Sequence, residues 1–183
     1  MYFEKITEKQ YKKDLGYEDI NLVEDDLLEY IKEEYFDIPF PERKTKGSAG
    51  YDFALPFSID LEPHETIKIP TGIRWVTEDF ENDIVLIIYP RSGLGFKYQL
   101  GLANTVGVID SDYFNSDSEG HIIIKLVNNG DKPMHLNKGD CFVQGIITPF
   151  LKTDGELDNY NERHGGMGST DKDIKAEKAQ QIK

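Results

Sequence analysis

The stretch IVLIIYPRSGLGFK, residues 84–97, runs from a short apolar segment into a polar turn. Its apolar part is the longest such run in the chain, yet far below the ~20 residues a membrane-crossing helix needs. An apolar run this short, stopped by a proline, reads as a strand. Pro90 ends it where a missing amide does no damage. Ser92 and Gly93 then suit a turn or a helix N-terminus. Amides there, with the Ser92 hydroxyl and the Arg91 guanidinium, suit a phosphate. The plain alternative is a turn carrying a surface arginine.

The same texture extends outward over residues 50–150. Apolar residues alternate or come in short runs, broken by Gly, Pro, Asn and Asp. Strands are expected at 67–69, 73–76, 84–89, 121–128 and 141–148. Many short strands at this spacing predict an all-β sandwich or jelly roll. Trp75 falls on an alternating strand and is expected in the core. Cys141 is expected to be a buried thiol rather than a nucleophile.

The flanks differ. A strand is expected over 1–6. Thr7 with Gln10 resembles a capping box opening a helix to about Asp14. Asn21 with Glu24 repeats that signal, and Val23, Leu27, Tyr30 and Ile31 then share one helical face, ending before Pro39. That helix reads as packed on the main domain or as partner-binding. Beyond residue 150 the chain turns polar, reaches the glycine-rich RHGGMGST (163–170), and ends in a Lys/Gln-rich tail expected to fray. We therefore divide the chain into an N-terminal extension (1–46), a β core (47–150) and a C-terminal arm (151–183).

With 183 residues and 30% charged side chains, the chain is long enough for one soluble domain with appendages. Its net charge of −13 argues against nucleic acid as a partner. Residues 1–40 alone hold 12 acidic and 5 basic side chains. A bound polyanion would need local cations or a metal ion against that field. One cysteine, no signal peptide and no membrane-spanning run fit a reducing, cytoplasmic setting. His64, His121, His135 and His164 show no metal-ligand spacing.

Residues with chemical potential bunch at strand ends. Asp110 closes the apolar pair in GVID. It is either a turn-former or a base held against a dry wall, where a raised pKa would favour proton transfer. RHGGMGST lacks the lysine and the strand–loop–helix context of a Walker loop. It is a flexible linker or a lid whose Arg163, Ser169 and Thr170 fold over a polyphosphate.

Five motifs stand in one order: Ala49-Gly50-Tyr51-Asp52-Phe53, then residues 90–95, 107–113, 139–144 and 163–170. In that order they resemble the trimeric dUTP pyrophosphatase (dUTPase) family, from about Pro39 to Thr170. The resemblance implies a jelly-roll-like β-clip barrel, with an N-terminal helical segment and a flexible C-terminal arm added here. It implies a homotrimer with active sites at subunit boundaries. The implied reaction is dUTP plus water giving dUMP and pyrophosphate, with Mg2+ on the triphosphate. By resemblance, Asp110 activates the water and Tyr113 packs on the deoxyribose, leaving no room for a 2′-hydroxyl. Asn104 and the backbone beside Gly107 read uracil. Arg91, Ser92, Gly93 and Gln144 hold phosphates. Arg163, Met167, Gly168, Ser169 and Thr170 close over the nucleotide. Asp52 acts near the metal through water, and no side chain binds it directly.

The chain departs from the pattern at three places. Met167 replaces the usual lid aromatic, Arg163 sits one residue closer to its glycine pair, and residues 114–119 are an insertion. Two other readings carry the same frame. In a dCTP deaminase, a glutamate would stand at the position of Lys125. A regulatory or protein-binding module would use the extra loop and helix.

Overall fold

In the computed structural model, which describes residues 1–17, 25–77 and 83–155, strands and short turns dominate. The elements in chain order are β1 (Tyr2–Lys5), α1 (Glu8–Asp14), α2 (Asp25–Asp37), β2 (Tyr51–Ala54), β3 (Ile59–Leu61), β4 (Thr66–Pro70), β5 (Ile73–Val76) and β6 (Ile84–Pro90). There follow α3 (Ser92–Tyr98), β7 (Leu100–Leu102), β8 (Gly107–Ile109), a 3-10 turn (Tyr113–Asn115), β9 (Ile123–Asn128), β10 (Met134–Leu136) and β11 (Cys141–Pro149).

The strands pair antiparallel throughout. Four form the sheet β2-β11-β6-β8, three form β4-β9-β7, and two pairs, β1-β5 and β10-β3, complete the frame. Successive side chains face opposite sides of a strand, so β9 sends Ile124, Leu126 and Asn128 inward and Lys125 outward. The inward faces meet in one core containing Phe53, Trp75, Leu86, Ile88, Leu126 and Phe142. The result is the expected all-β, jelly-roll-like arrangement.

All five expected strands are present, with ends shifted by a residue or two. Strand β9 begins at Ile123, since the backbone amides of His121 and Ile122 donate instead to Ser118 and Ile73. The strands missed in sequence are β2, β3, β7, β8 and β10. Four of these five are three residues long, too short to show a period. Trp75 is buried as expected. Cys141 is only half-buried, a correction to the expected buried thiol, because it stands at the open end of β11.

The N-terminal extension shares the core. Strand β1 pairs with β5, and Phe3 meets Tyr51 and Phe53 edge-on at 5.4 and 5.6 Å. Thr7 caps α1 by accepting from the Gln10 amide at 3.2 Å. The reciprocal half of the expected capping box is absent. The Gln10 side chain bonds Asp14 instead, and the Thr7 amide finds Glu119. For α2, the expected apolar face is half right. Ile31 is buried, but Leu27 and Tyr30 are exposed. Ile31 and Glu34 face inward, and Ile38 follows just past the helix end. The expected cap at Asn21–Glu24 and Val23 lie outside the described residues.

Buried Glu34 is tolerated because the Tyr11 hydroxyl donates to its Oε1 at 2.7 Å. Burial pushes the Glu34 carboxyl above its usual range, although the Tyr11 bond opposes this. Burial and the neighbouring carboxylate push the Tyr11 phenol up as well.

A carboxyl whose folded pKa is raised is destabilising once pH exceeds its unfolded value. Glu34→Gln keeps the acceptor for Tyr11 and removes the charge. It is therefore expected to unfold at higher denaturant than the parent at neutral pH, with the gain vanishing at acidic pH where Glu34 is protonated in both states. Tyr11→Phe leaves the buried carboxylate short of a donor. It is expected to cost roughly 1–3 kcal/mol in the same denaturation measurement.

Candidate active site

Two polar groups stand out, one on the four-stranded sheet and one between its edge strand β8 and the three-stranded sheet. The first lies across β2, β11 and β6. Gln144 of β11 stands opposite Asp52 of β2 on one side and Tyr89 of β6 on the other. The Arg91 amide continues this row, donating to the Phe142 carbonyl at 3.2 Å. Arg91 Nη2 lies 3.3 Å from Asp52 Oδ2, and the Asp52 side chain is only 10% exposed. The expected phosphate ligand and the expected carboxylate beside the metal are thus partners in this chain.

Gly50 makes this row possible. A Cβ there would sit 2.4 Å from Gln144 Oε1 and 3.1 Å from Gln144 Cβ. A larger residue would push the amide out of the row. Beyond Pro90 the chain turns directly into α3, with Arg91 at its N-cap. The amides of Ser92 and Gly93 fall in the first turn, where no intrahelical acceptor exists. A Cβ on Gly93 would meet nothing within 4 Å. No atom of the described residues fills the space beside it.

The second group surrounds a cavity of about 490 Å³ whose lining includes Asn104, Gly107, Tyr113, Ile124, Lys68 and Lys125. Strand β8 is drawn close to β6 because Gly107 stands opposite Ile88. A Cβ on Gly107 would lie 3.1 Å from Ile88 Cβ. The turn before β8 is tight: Thr105 has φ of 69°, and the Val106 amide donates to the Asn104 carbonyl at 2.7 Å. Asp110 follows β8, next to the lining residue Ile109. Its carbonyl accepts the Tyr113 amide at 3.1 Å, so one turn ties the two residues together. Tyr113 is buried, and its hydroxyl donates to the His121 carbonyl at 3.1 Å. Asp110 is exposed. The turn-forming reading of this aspartate is met, since its carbonyl opens the turn to Tyr113.

Asp52, Arg91 and Gln144 do not line the cavity. The structure therefore brings together Asn104, Gly107 and Tyr113, with Asp110 following β8. It separately brings together Asp52, Arg91, Ser92, Gly93 and Gln144. Arg163, Met167, Gly168, Ser169 and Thr170 lie outside the described residues.

Two lysines at the cavity were missed as site residues. Lys68 and Lys125 stand opposite each other in the β4–β9 ladder and both line it. The alternation around each marks it as outward-facing, but only the pairing of two distant strands brings them face to face. Among the described residues no group of three or more His, Cys, Asp or Glu side chains could hold a metal ion. No helix among them is long and apolar enough to cross a membrane.

Matches to known proteins span the residues of both groups. The dUTPase family model matches residues 37–171. The deoxyuridine 5'-triphosphate nucleotidohydrolase of Lactococcus lactis is 42% identical over 135 residues, covering 73% of this chain and 88% of that protein. The enzyme of the same name from Shewanella sediminis is 39% identical, covering 71% and 85%. Among solved structures, the dUTPase from Streptococcus mutans superposes with a TM-score of 0.60 at 32% identity. It covers 85% of this chain and 100% of its own. A dUTPase from Staphylococcus aureus phage phi11, at 24% identity and a TM-score of 0.52, shares the fold. On the matched motifs, the sheet that carries them and these relatives, the chain belongs to the dUTPase family.

Proposed function

We propose that this protein hydrolyses dUTP to dUMP and pyrophosphate, with Asp110 activating the attacking water. The observation that carries the assignment is the cavity lined by Asn104, Gly107 and Tyr113, with Asp110 one residue beyond its lining. Its apolar walls suit a nucleoside, and its backbone amides and carbonyls suit a base edge. Fixed donors and acceptors set at Asn104 and beside Gly107 would accept uracil and leave mismatched groups unpaired with cytosine.

In the proposed step, a water oxygen forms a bond to the α-phosphorus while its proton passes to the Asp110 carboxylate. The bond from the α-phosphorus to the oxygen bridging to the β-phosphate breaks, and pyrophosphate leaves. Such chemistry depends on positioning and charge neutralisation. The Asp110–Tyr113 turn supplies the positioning, because the same short segment holds the carboxylate and the sugar-facing ring. Neutralisation falls to Arg91, Ser92, the first amides of α3 and Gln144, with residues 163–170 closing over the far phosphates.

Mg2+ would enter this site as an ion carried by the triphosphate, beside the half-buried Asp52–Arg91 pair. Asp52, the carboxylate beside Arg91, would hold it through water. When bound, the ion supplies charge neutralisation at the phosphate oxygens.

The proposed site draws on more than one copy of the chain. Among the described residues, Asp52, Arg91 and Gln144 are not part of the cavity lining. Phe96 on α3 is 92% exposed and Val108 on β8 is 55% exposed, apolar side chains beside each half-site. Both observations support a homotrimer that sets the row of one copy against the cavity of another.

Pyrophosphate release with dUTP, UTP and the four standard deoxynucleotides, with and without a chelator, tests the reading. Turnover confined to dUTP and lost on chelation is expected. Turnover of dCTP in preference to dUTP would overturn it. Asp110→Asn is expected to lose roughly a hundredfold or more in kcat while still binding the nucleotide, as loss of a general base does. Gly50→Ala displaces Gln144 without touching Asp110. It should raise KM for dUTP several-fold, and an unchanged KM would remove Gln144 from phosphate binding.

A further inference from the structure

We propose that α1 of the N-terminal extension positions Tyr113, acting through Glu119 and His121, and so sets how well the site excludes a 2′-hydroxyl. The inference rests on the reading of Tyr113 as the residue against the sugar.

The insertion after Tyr113 is wound tightly and returns to its start. The Glu119 amide donates to the Ser116 carbonyl at 2.8 Å, and the Gly120 amide donates to Ser116 Oγ at 3.1 Å. Glu119 and Gly120 have φ of 58° and 71°, and a Cβ on Gly120 would lie 2.4 Å from Phe114 Cα. The loop closes where the Tyr113 hydroxyl donates to the His121 carbonyl. That carbonyl is therefore one of the contacts that hold the Tyr113 hydroxyl, and with it the ring, in place.

Helix α1 grips the closing segment at two points. The Thr7 amide and hydroxyl donate to Glu119 Oε2 and Oε1 at 2.8 and 2.6 Å. Asp14 Oδ2 lies 2.6 Å from His121 Nδ1 and accepts from Gln10 Nε2 at 2.9 Å. The Gly72 amide donates to His121 Nε2 at 2.8 Å, so the ring proton is on Nδ1 and points at Asp14. Burial pulls the His121 pKa down against the opposing pull of Asp14, which agrees with a neutral imidazole. Two carboxylates, through three hydrogen bonds, thus fix the residues on either side of Gly120. Bonds of this charge-assisted kind are the stronger ones in a folded chain.

Thr7 and Asp14 precede residue 37, where the family match begins. The grip on the loop is therefore supplied by a segment outside the matched region. Neither residue lines the cavity; both are positioning residues.

The test is kcat/KM for dUTP and for UTP, measured on the full chain and on Asp14→Ala, Asp14→Asn and Glu119→Ala. In Asp14→Ala the dUTP preference should fall roughly tenfold, the size expected from losing one charged hydrogen bond, through a higher KM for dUTP with kcat near the parent value. Asp14→Asn keeps an oxygen for His121 Nδ1 and should restore the preference to within about twofold of the parent. Should Asp14→Ala not fold, Glu119→Ala decides by the same ratio. Retained dUTP turnover with an unmoved ratio in the alanine variants overturns the proposal alone. So does an Asp14→Asn chain as unselective as Asp14→Ala. No turnover of dUTP by the unmodified chain overturns the functional reading, and this proposal with it.

Discussion

The register of β11 is the constraint on which both candidate half-sites depend. This strand pairs with β2 on one side and β6 on the other, so Gln144 faces Asp52 and Tyr89 in one row. Side chains alternate along a strand, and a slip of one residue would turn Gln144 away and bring a neighbour into its place. It would also expose Phe142 or Val143, both fully buried. Packing of the apolar positions thus holds the polar one in register. Strand β6 passes the same alignment to β8, whose Gly107 stands opposite Ile88, and so to the turn carrying Asp110 and Tyr113.

The charge distribution follows the same division. The chain is strongly acidic, yet both candidate half-sites carry cations: Arg91 in the row, Lys68 and Lys125 at the cavity. Arg91 is already paired with Asp52, which orients the guanidinium and keeps an acidic group near it. Lys68 and Lys125 face each other across a ladder, an arrangement that costs stability in an empty sheet and favours an anion nearby. A polyanionic substrate therefore meets local positive charge within an unfavourable overall field.

The N-terminal extension is part of the same packing. Phe3 lies against the aromatic pair Tyr51 and Phe53 of β2, and Gly72 receives this segment closely. The Ile6 amide donates to the Gly72 carbonyl, while the Gly72 amide donates to His121. A Cβ on Gly72 would meet Ile38 Cδ1 at 2.4 Å. Strand β1, helix α1 and the chain after α2 thus converge on one glycine, next to the loop that carries Tyr113.

The sequence by itself determined the class of the fold and the order of the motifs. Short apolar runs stopped by proline or glycine are local signals, and Pro90, Trp75 and Ile84 could be placed from them alone. It also marked Asp110, Tyr113, Arg91 and Gln144, since each stands beside a turn within a recognisable motif. Only the tertiary structure decided which of these meet. The pairing of Arg91 with Asp52, the room Gly50 leaves for Gln144, and the facing of Lys68 and Lys125 all join residues far apart in the chain. The same is true of Thr7 with Glu119 and Asp14 with His121. Local pattern encodes which face of an element is buried; which elements share that burial is set by long-range packing, which no single stretch of sequence contains.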